Sequence, residues 1–115
     1  MRTWNEQLYL DAMPGRRTPI DNWITEIAEN RIDVVVCLAS EAEIQKKSPD
    51  YADLRENKRN GDGQVILPVG DRETVLKDFP IKDFSVPAAD DVESFWLLAT
   101  EIAHRLTEGF HVFVH

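Results

Sequence analysis

The chain has one cysteine, Cys37, so an internal disulfide is excluded and a reducing, cytoplasmic setting is expected. Basic charge is also scarce. Thirteen Lys and Arg stand against 21 Asp and Glu, a net charge of −8. That field repels phosphate backbones and anionic membrane surfaces, so neither nucleic acid nor membrane is expected as a partner. No hydrophobic run approaches the roughly 20 residues of a membrane-spanning helix, and the amino terminus lacks a signal-peptide core. No internal repeat or low-complexity tract is visible. What is present is enough apolar material for a core. Hydrophobic residues make up 43% of the 115, the size of one domain spanning residues 1–115.

The hydrophobic pattern alternates between strand and helix. Leu8–Leu10 reads as a short strand closed by the turn signal Met13-Pro14-Gly15. Thr18 is expected to cap a helix with Pro19 in its first position. Ile20, Trp23, Ile24, Ile27 and Ala28 then mark one helical face, and Asn30 ends it. Asp33–Leu38 is a continuous β-branched run, which predicts a strand covered on both faces. Ser40 to Glu43 has capping-box spacing, and Ser48-Pro49 restarts a helix that ends at Asn60-Gly61. The polar run Glu41–Arg59 is expected to face solvent.

Gln64–Val69 reads as a strand, with Pro68 arguing for a sheet edge. Thr74–Ile81 is a second strand across a Gly70-Asp71 turn, and 82–87 is a loop. Asp90 is expected to cap a long helix with the stripe Val92, Phe95, Trp96, Ala99, Ile102, Ala103 and Leu106, closed by Gly109. Phe110–His115 closes as a strand. The order predicts an α/β fold: a layered, mixed or parallel sheet with flanking helices.

The segment Pro80-Ile-Lys-Asp83-Phe-Ser-Val-Pro87 places one acid in a proline-bracketed loop. One helix and one strand later the chain reads Val112-Phe-Val-His115. In this order the two stretches resemble the cysteine-dependent protein tyrosine phosphatases, in particular the compact dual-specificity branch. Leu8–Arg16, Ile32–Leu38 and Ser48-Pro-Asp-Tyr51 resemble further segments of that family. The resemblance implies an incomplete dual-specificity phosphatase fold. It implies hydrolysis of a phosphorylated protein or other phosphoester through a cysteinyl-phosphate. Asp83 would be the general acid, and His115 would support the phosphate loop. No cofactor is implied. The nucleophilic cysteine and the arginine of the family's His-Cys-x5-Arg loop do not occur up to His115, so they are expected beyond it, and residues 1–115 alone are expected to be inactive.

The alternative is a non-catalytic phosphatase-like module that binds a partner or itself. If the covering helices are missing, an exposed sheet face and edge should drive homo-oligomers. Cys37, inside the β-branched run, is expected to be a buried, inert thiol rather than a nucleophile. His104, His111 and His115 lack metal-ligand spacing, so no metal is expected. Trp23, Phe95 and Trp96 are expected in the core. Arg16 and Arg17 form a solvated pair with a possible role toward an anion.

Overall fold

The computed structural model describes residues 2–3, 7–16, 18–78 and 89–115. Among them lie β1 (Arg2–Thr3), β2 (Leu8–Leu10), α1 (Ile20–Glu29), β3 (Val34–Cys37), α2 (Glu41–Lys47), α3 (Pro49–Asn57), β4 (Val65–Val69), β5 (Arg72–Asp78), α4 (Ala89–Thr107) and β6 (Val112–Val114). The strands form one sheet in the order β1-β2-β6-β3-β5-β4. The inner run β2-β6-β3-β5 is parallel. β1 and β4 pair antiparallel at the two edges. This is the expected α/β layering, with a mixed sheet flanked by helices.

Period-two alternation divides the apolar residues between two layers. Val35, Cys37 and Phe113 face a core completed by Trp23 and Ile27 of α1, Ile44 of α2 and Tyr51 of α3. Val34, Val36 and Val112 point the other way, where Ile102 and Leu106 of α4 cover them. β3 is buried at every position because it has helices on both sides. Pro68 lies in β4, an edge strand, where a missing N–H costs the sheet nothing essential.

Several local expectations shift. Pro19 has an extended ψ of 146° and is itself the N-cap of α1, with no side-chain cap. Thr18 therefore lies one residue too early to cap. Ser40 does cap α2, its Oγ accepting from Glu43 N at 3.2 Å. α4 starts at Ala89, which puts Asp90 inside the first turn instead of at the cap. β5 begins at Arg72, two residues earlier than expected, because the Gly70-Asp71 turn pairs Val69 directly with Arg72. The expected end of that strand, 79–81, lies outside the described residues. β6 is shorter than Phe110–His115, since the close of α4 uses Phe110: its N–H reaches Arg105 O.

Both long helices end in the same way. At α4, Gly109 has φ +87°, with Gly109 N donating to Leu106 O and Phe110 N to Arg105 O. At α1, Arg31 takes the glycine's place with φ +54°, Arg31 N donating to Ala28 O and Ile32 N to Ile27 O. This pairing of a six-to-one and a five-to-two bond satisfies the last carbonyls of a helix. It turns each chain into a central strand.

Two expectations about the core fail. Glu41–Arg59 is not simply a solvated excursion: Ile44, Ser48, Tyr51 and Arg55 are all buried. A Tyr and an Arg one turn apart form the inner face of α3, which an apolar-stripe reading passes over. Trp96 is 72% exposed rather than core, and Leu97 is 60% exposed. α4 meets the sheet through Ile102 and Leu106, so the stripe belongs to the core only in its second half. Phe95 lies among residues whose side chains are not described.

Candidate functional site

Parallel strands bring their carboxyl ends to one rim, where α/β proteins commonly bind ligands. On this rim lie His115 just after β6, Leu38–Ser40 after β3, Asp78 at the end of β5 and the loop after Leu10. α3 supplies the side chains that fill the space behind it. Ser48-Pro49 starts the helix at a point fixed by a long-range bond, because Ser48 Oγ donates to Pro14 O at 2.6 Å. This contact presses the Met13-Pro14-Gly15 turn against the joint between α2 and α3. Gly15 has φ +85°, and a Cβ there would stand 2.4 Å from Ser48 Oγ. Only glycine fits both the backbone and the space.

From that start, Tyr51 is carried into the core. Its ring stacks edge-on to Trp23 at 5.4 Å and to the His115 imidazole at 5.2 Å. Its hydroxyl and His115 Nε2 are 2.8 Å apart. Burial, with a smaller push from Arg55, lowers the His115 pKa from 6.5 to about 4. The imidazole is therefore neutral near pH 7. Burial likewise raises the Tyr51 pKa, so the phenol keeps its proton. Two neutral rings share one hydrogen between them, in a direction set by the imidazole tautomer.

One turn further, Arg55 is 1% exposed. Its Nη2 donates to Glu41 Oε1 at 2.7 Å and to both carboxylate oxygens of Asp78, at 2.7 and 2.8 Å. Its guanidinium carbon lies 5.5 Å from the Tyr51 ring centroid, within cation–π range. Burial alone would lower the Arg55 pKa. The bonds from Glu41 and Asp78 outweigh it and hold the pKa above its ordinary value. In return, the hydrogen bond from Arg55 lowers the Glu41 pKa against a smaller opposing effect of burial. Arg55 is thus a fixed cation joining α2, α3 and the last residue of β5.

The expected site residues fall in different places. His115 lies on the rim, held by Tyr51. Asp83 belongs to residues 79–88, outside the described residues, as does Arg17. Arg16 is exposed on the loop after β2. Cys37 is fully buried, and burial pushes its thiol up to about 11, which fits an inert core residue. His104 is exposed and 2.9 Å from Glu108, and His111 Nδ1 is 3.0 Å from Asn30 O, so each has its own partner. Among the described residues no three His, Cys, Asp or Glu side chains gather for a metal, and no helix is long and apolar enough to cross a membrane.

Sequence reasoning missed Tyr51, Arg55, Glu41 and Asp78. The i, i+4 spacing of Tyr51 and Arg55 was the available signal, since it places both on one helical face. Compared with family models, with curated proteins and with solved structures, the chain gives no match.

Proposed function

We propose that this chain forms the greater part of a cysteine-dependent phosphoester hydrolase of the dual-specificity phosphatase type. The observation that carries the reading is the parallel run β6-β3-β5. It makes the chain leave β5 toward Asp83 and leave β6 after His115 at the same rim of the sheet. A general acid and a nucleophile must approach one phosphorus atom from opposite ends of the scissile bond. Two strand ends on one rim, with a single strand between them, suit that requirement. The buried, neutral His115 supports the reading too, because it gives the segment after it a rigid base.

In this mechanism a thiolate beyond His115 attacks phosphorus, and the bond to the leaving oxygen breaks. Asp83 gives that oxygen its proton. The resulting cysteinyl-phosphate is then opened by water, whose proton returns to Asp83. The thiolate and inorganic phosphate are released. Cys37 takes no part, since its thiol is buried and protonated. The acidic surface disfavours polyanionic nucleic acid as substrate.

The test is the coding sequence after His115 followed by kinetics of the complete protein. A Cys-x5-Arg run starting at the next residue and vanadate-sensitive hydrolysis of phenyl phosphate are expected. Asp83→Asn should lower that rate by about a hundredfold, as for loss of a general acid. An undiminished rate in Asp83→Asn, or another residue in place of the cysteine, would overturn the reading.

A second reading, a self-associating phosphatase-like module, is favoured by Trp96 and Leu97, which stand 72% and 60% exposed on one helix. Light scattering separates the two. A dimer that becomes monomeric in Trp96→Ser supports self-association, and a wild-type monomer at high concentration rejects it.

A further inference from the structure

We propose that Asn60 is a self-modifying site: the backbone nitrogen of Gly61 attacks its side-chain amide, and the loop between α3 and β4 speeds that attack. The proposal stands apart from the phosphatase reading. Asparagine is thermolabile because its amide carbon can be attacked by the next backbone nitrogen. Glycine leaves that nitrogen unshielded, since it carries no Cβ. Asn60-Gly61 is such a pair.

Three features converge on it. Both residues are exposed, so water reaches them. Asn60 Oδ1 accepts from Asp62 N and from Gln64 N, each at 3.0 Å. Only the oxygen of the amide can accept, so these two donors also fix which way the side chain lies. Negative charge develops on that oxygen as the carbon is attacked, and two backbone N–H groups already aimed at it act as an oxyanion hole. The loop holds the donors in place, with Asn60 N donating to Gln64 O at 2.8 Å and Arg59 Nη1 to Gly63 O at 3.0 Å. The Gly61 N–H donates to no group among the described residues, so its proton is open to hydroxide. Asp62-Gly63 is a second pair of this kind, two residues on. There the Gly63 N–H is taken, donating to Asn60 O at 3.0 Å. One loop thus holds an armed pair and a blocked one.

The step needs only water and hydroxide. Gly61 N gives up its proton to hydroxide and forms a bond to Asn60 Cγ. The Cγ–Nδ2 bond breaks, and the amide nitrogen takes a proton from water and leaves as ammonia. Water then opens the five-membered imide. Breaking the new bond gives aspartate at position 60, which keeps an oxygen for Asp62 N and Gln64 N. Breaking the old peptide bond gives isoaspartate, which lengthens the main chain by one carbon between α3 and β4. That insertion disturbs the bonds from Asn60 N to Gln64 O and from Gly63 N to Asn60 O. Either product adds one negative charge to a chain already at −8.

Incubation of the intact protein at pH 8 tests this, with peptide mapping for the amide-to-acid mass gain and for isoaspartate. Folding ordinarily slows the reaction by restraining the chain. Here the folded protein should react about threefold or more faster than the same protein held in guanidinium chloride. Gly61→Ala should slow the folded protein about tenfold, and its added Cβ meets nothing within 4 Å, so the fold is kept. Asp62→Pro takes away one donor and should bring the folded rate down to the unfolded one. If that variant fails to fold, the wild-type comparison and Gly61→Ala still decide. A folded rate at or below the unfolded rate, an undiminished rate in Gly61→Ala, or isomerisation of Asp62 ahead of Asn60 would overturn the proposal.

Discussion

The Tyr51 hydroxyl and His115 Nε2 meet at 2.8 Å, joining the first turn of α3 to the residue just after the central strand β6. The contact has a pH signature. The folded pKa of His115 is about 4, below its ordinary 6.5. Between those values the unfolded chain holds the extra proton, so acid favours unfolding. The contribution is complete above about pH 6.5 and is lost as pH falls toward 4. Urea unfolding should show roughly 2 kcal/mol lost between pH 7 and pH 5, a loss that His115→Gln removes. A wild-type stability flat across that range would contradict a buried neutral imidazole.

Tyr51→Phe takes away the partner of Nε2 without changing the ring packing on Trp23. The expected cost is about 1–3 kcal/mol, the range for a buried polar group left unsatisfied. Chemical denaturation measures it, and a neutral effect would mean that water replaces the phenol.

Cys37 should be silent in the native protein. Its thiol is buried and its pKa is pushed up to about 11. At pH 8, iodoacetamide should label it only after denaturant is added. Cys37→Ala should leave any phosphoester hydrolysis in place, and loss of that activity with an intact fold would make Cys37 the nucleophile after all.

Arg31 occupies the left-handed position that Gly109 fills at the other long helix. Its side chain is exposed, so substitution removes little packing. Arg31→Gly should stabilise by roughly 0.5–1 kcal/mol, with backbone relief exceeding the added freedom of the unfolded chain. Thermal melting gives the sign directly.

The opposite change at Gly15 should be costly. An added Cβ meets Ser48 Oγ at 2.4 Å on a backbone with φ +85°. Gly15→Ala should destabilise by about 2 kcal/mol or more, and Ser48→Ala by about 1 kcal/mol through loss of the bond to Pro14 O. If the two effects are coupled as the contact implies, the double variant should lose less than the sum.

How far the sequence reveals this molecule depends on what each element is made of. β3 and α1 were legible, because a β-branched run and an i, i+3, i+4 stripe are direct consequences of two-sided and one-sided burial. β4 was legible as an edge through Pro68. The start of α3 was legible in Ser48-Pro49, but its burial was not, because its buried face is Tyr51 and Arg55, and a polar buried face carries no hydrophobic period. Trp96 misled for the converse reason. An apolar stripe states that a surface is apolar and not that something covers it. Of the candidate site, the sequence offered Asp83 and His115 by resemblance. The Arg55 anchor depends on pairing across 23 residues to Asp78, which no local pattern encodes.

The order β2-β6-β3 has a consequence for biosynthesis. β6 is the last strand described, yet it lies between the first parallel strands, bonded to both. On the ribosome, β2 and β3 therefore emerge long before the strand that joins them. Until residues 112–114 are clear of the exit tunnel, both present open backbone edges flanked by buried-type side chains. Such edges recruit other chains. The nascent protein is thus most vulnerable to aggregation just before completion of β6. Holding by a chaperone would protect it at that moment.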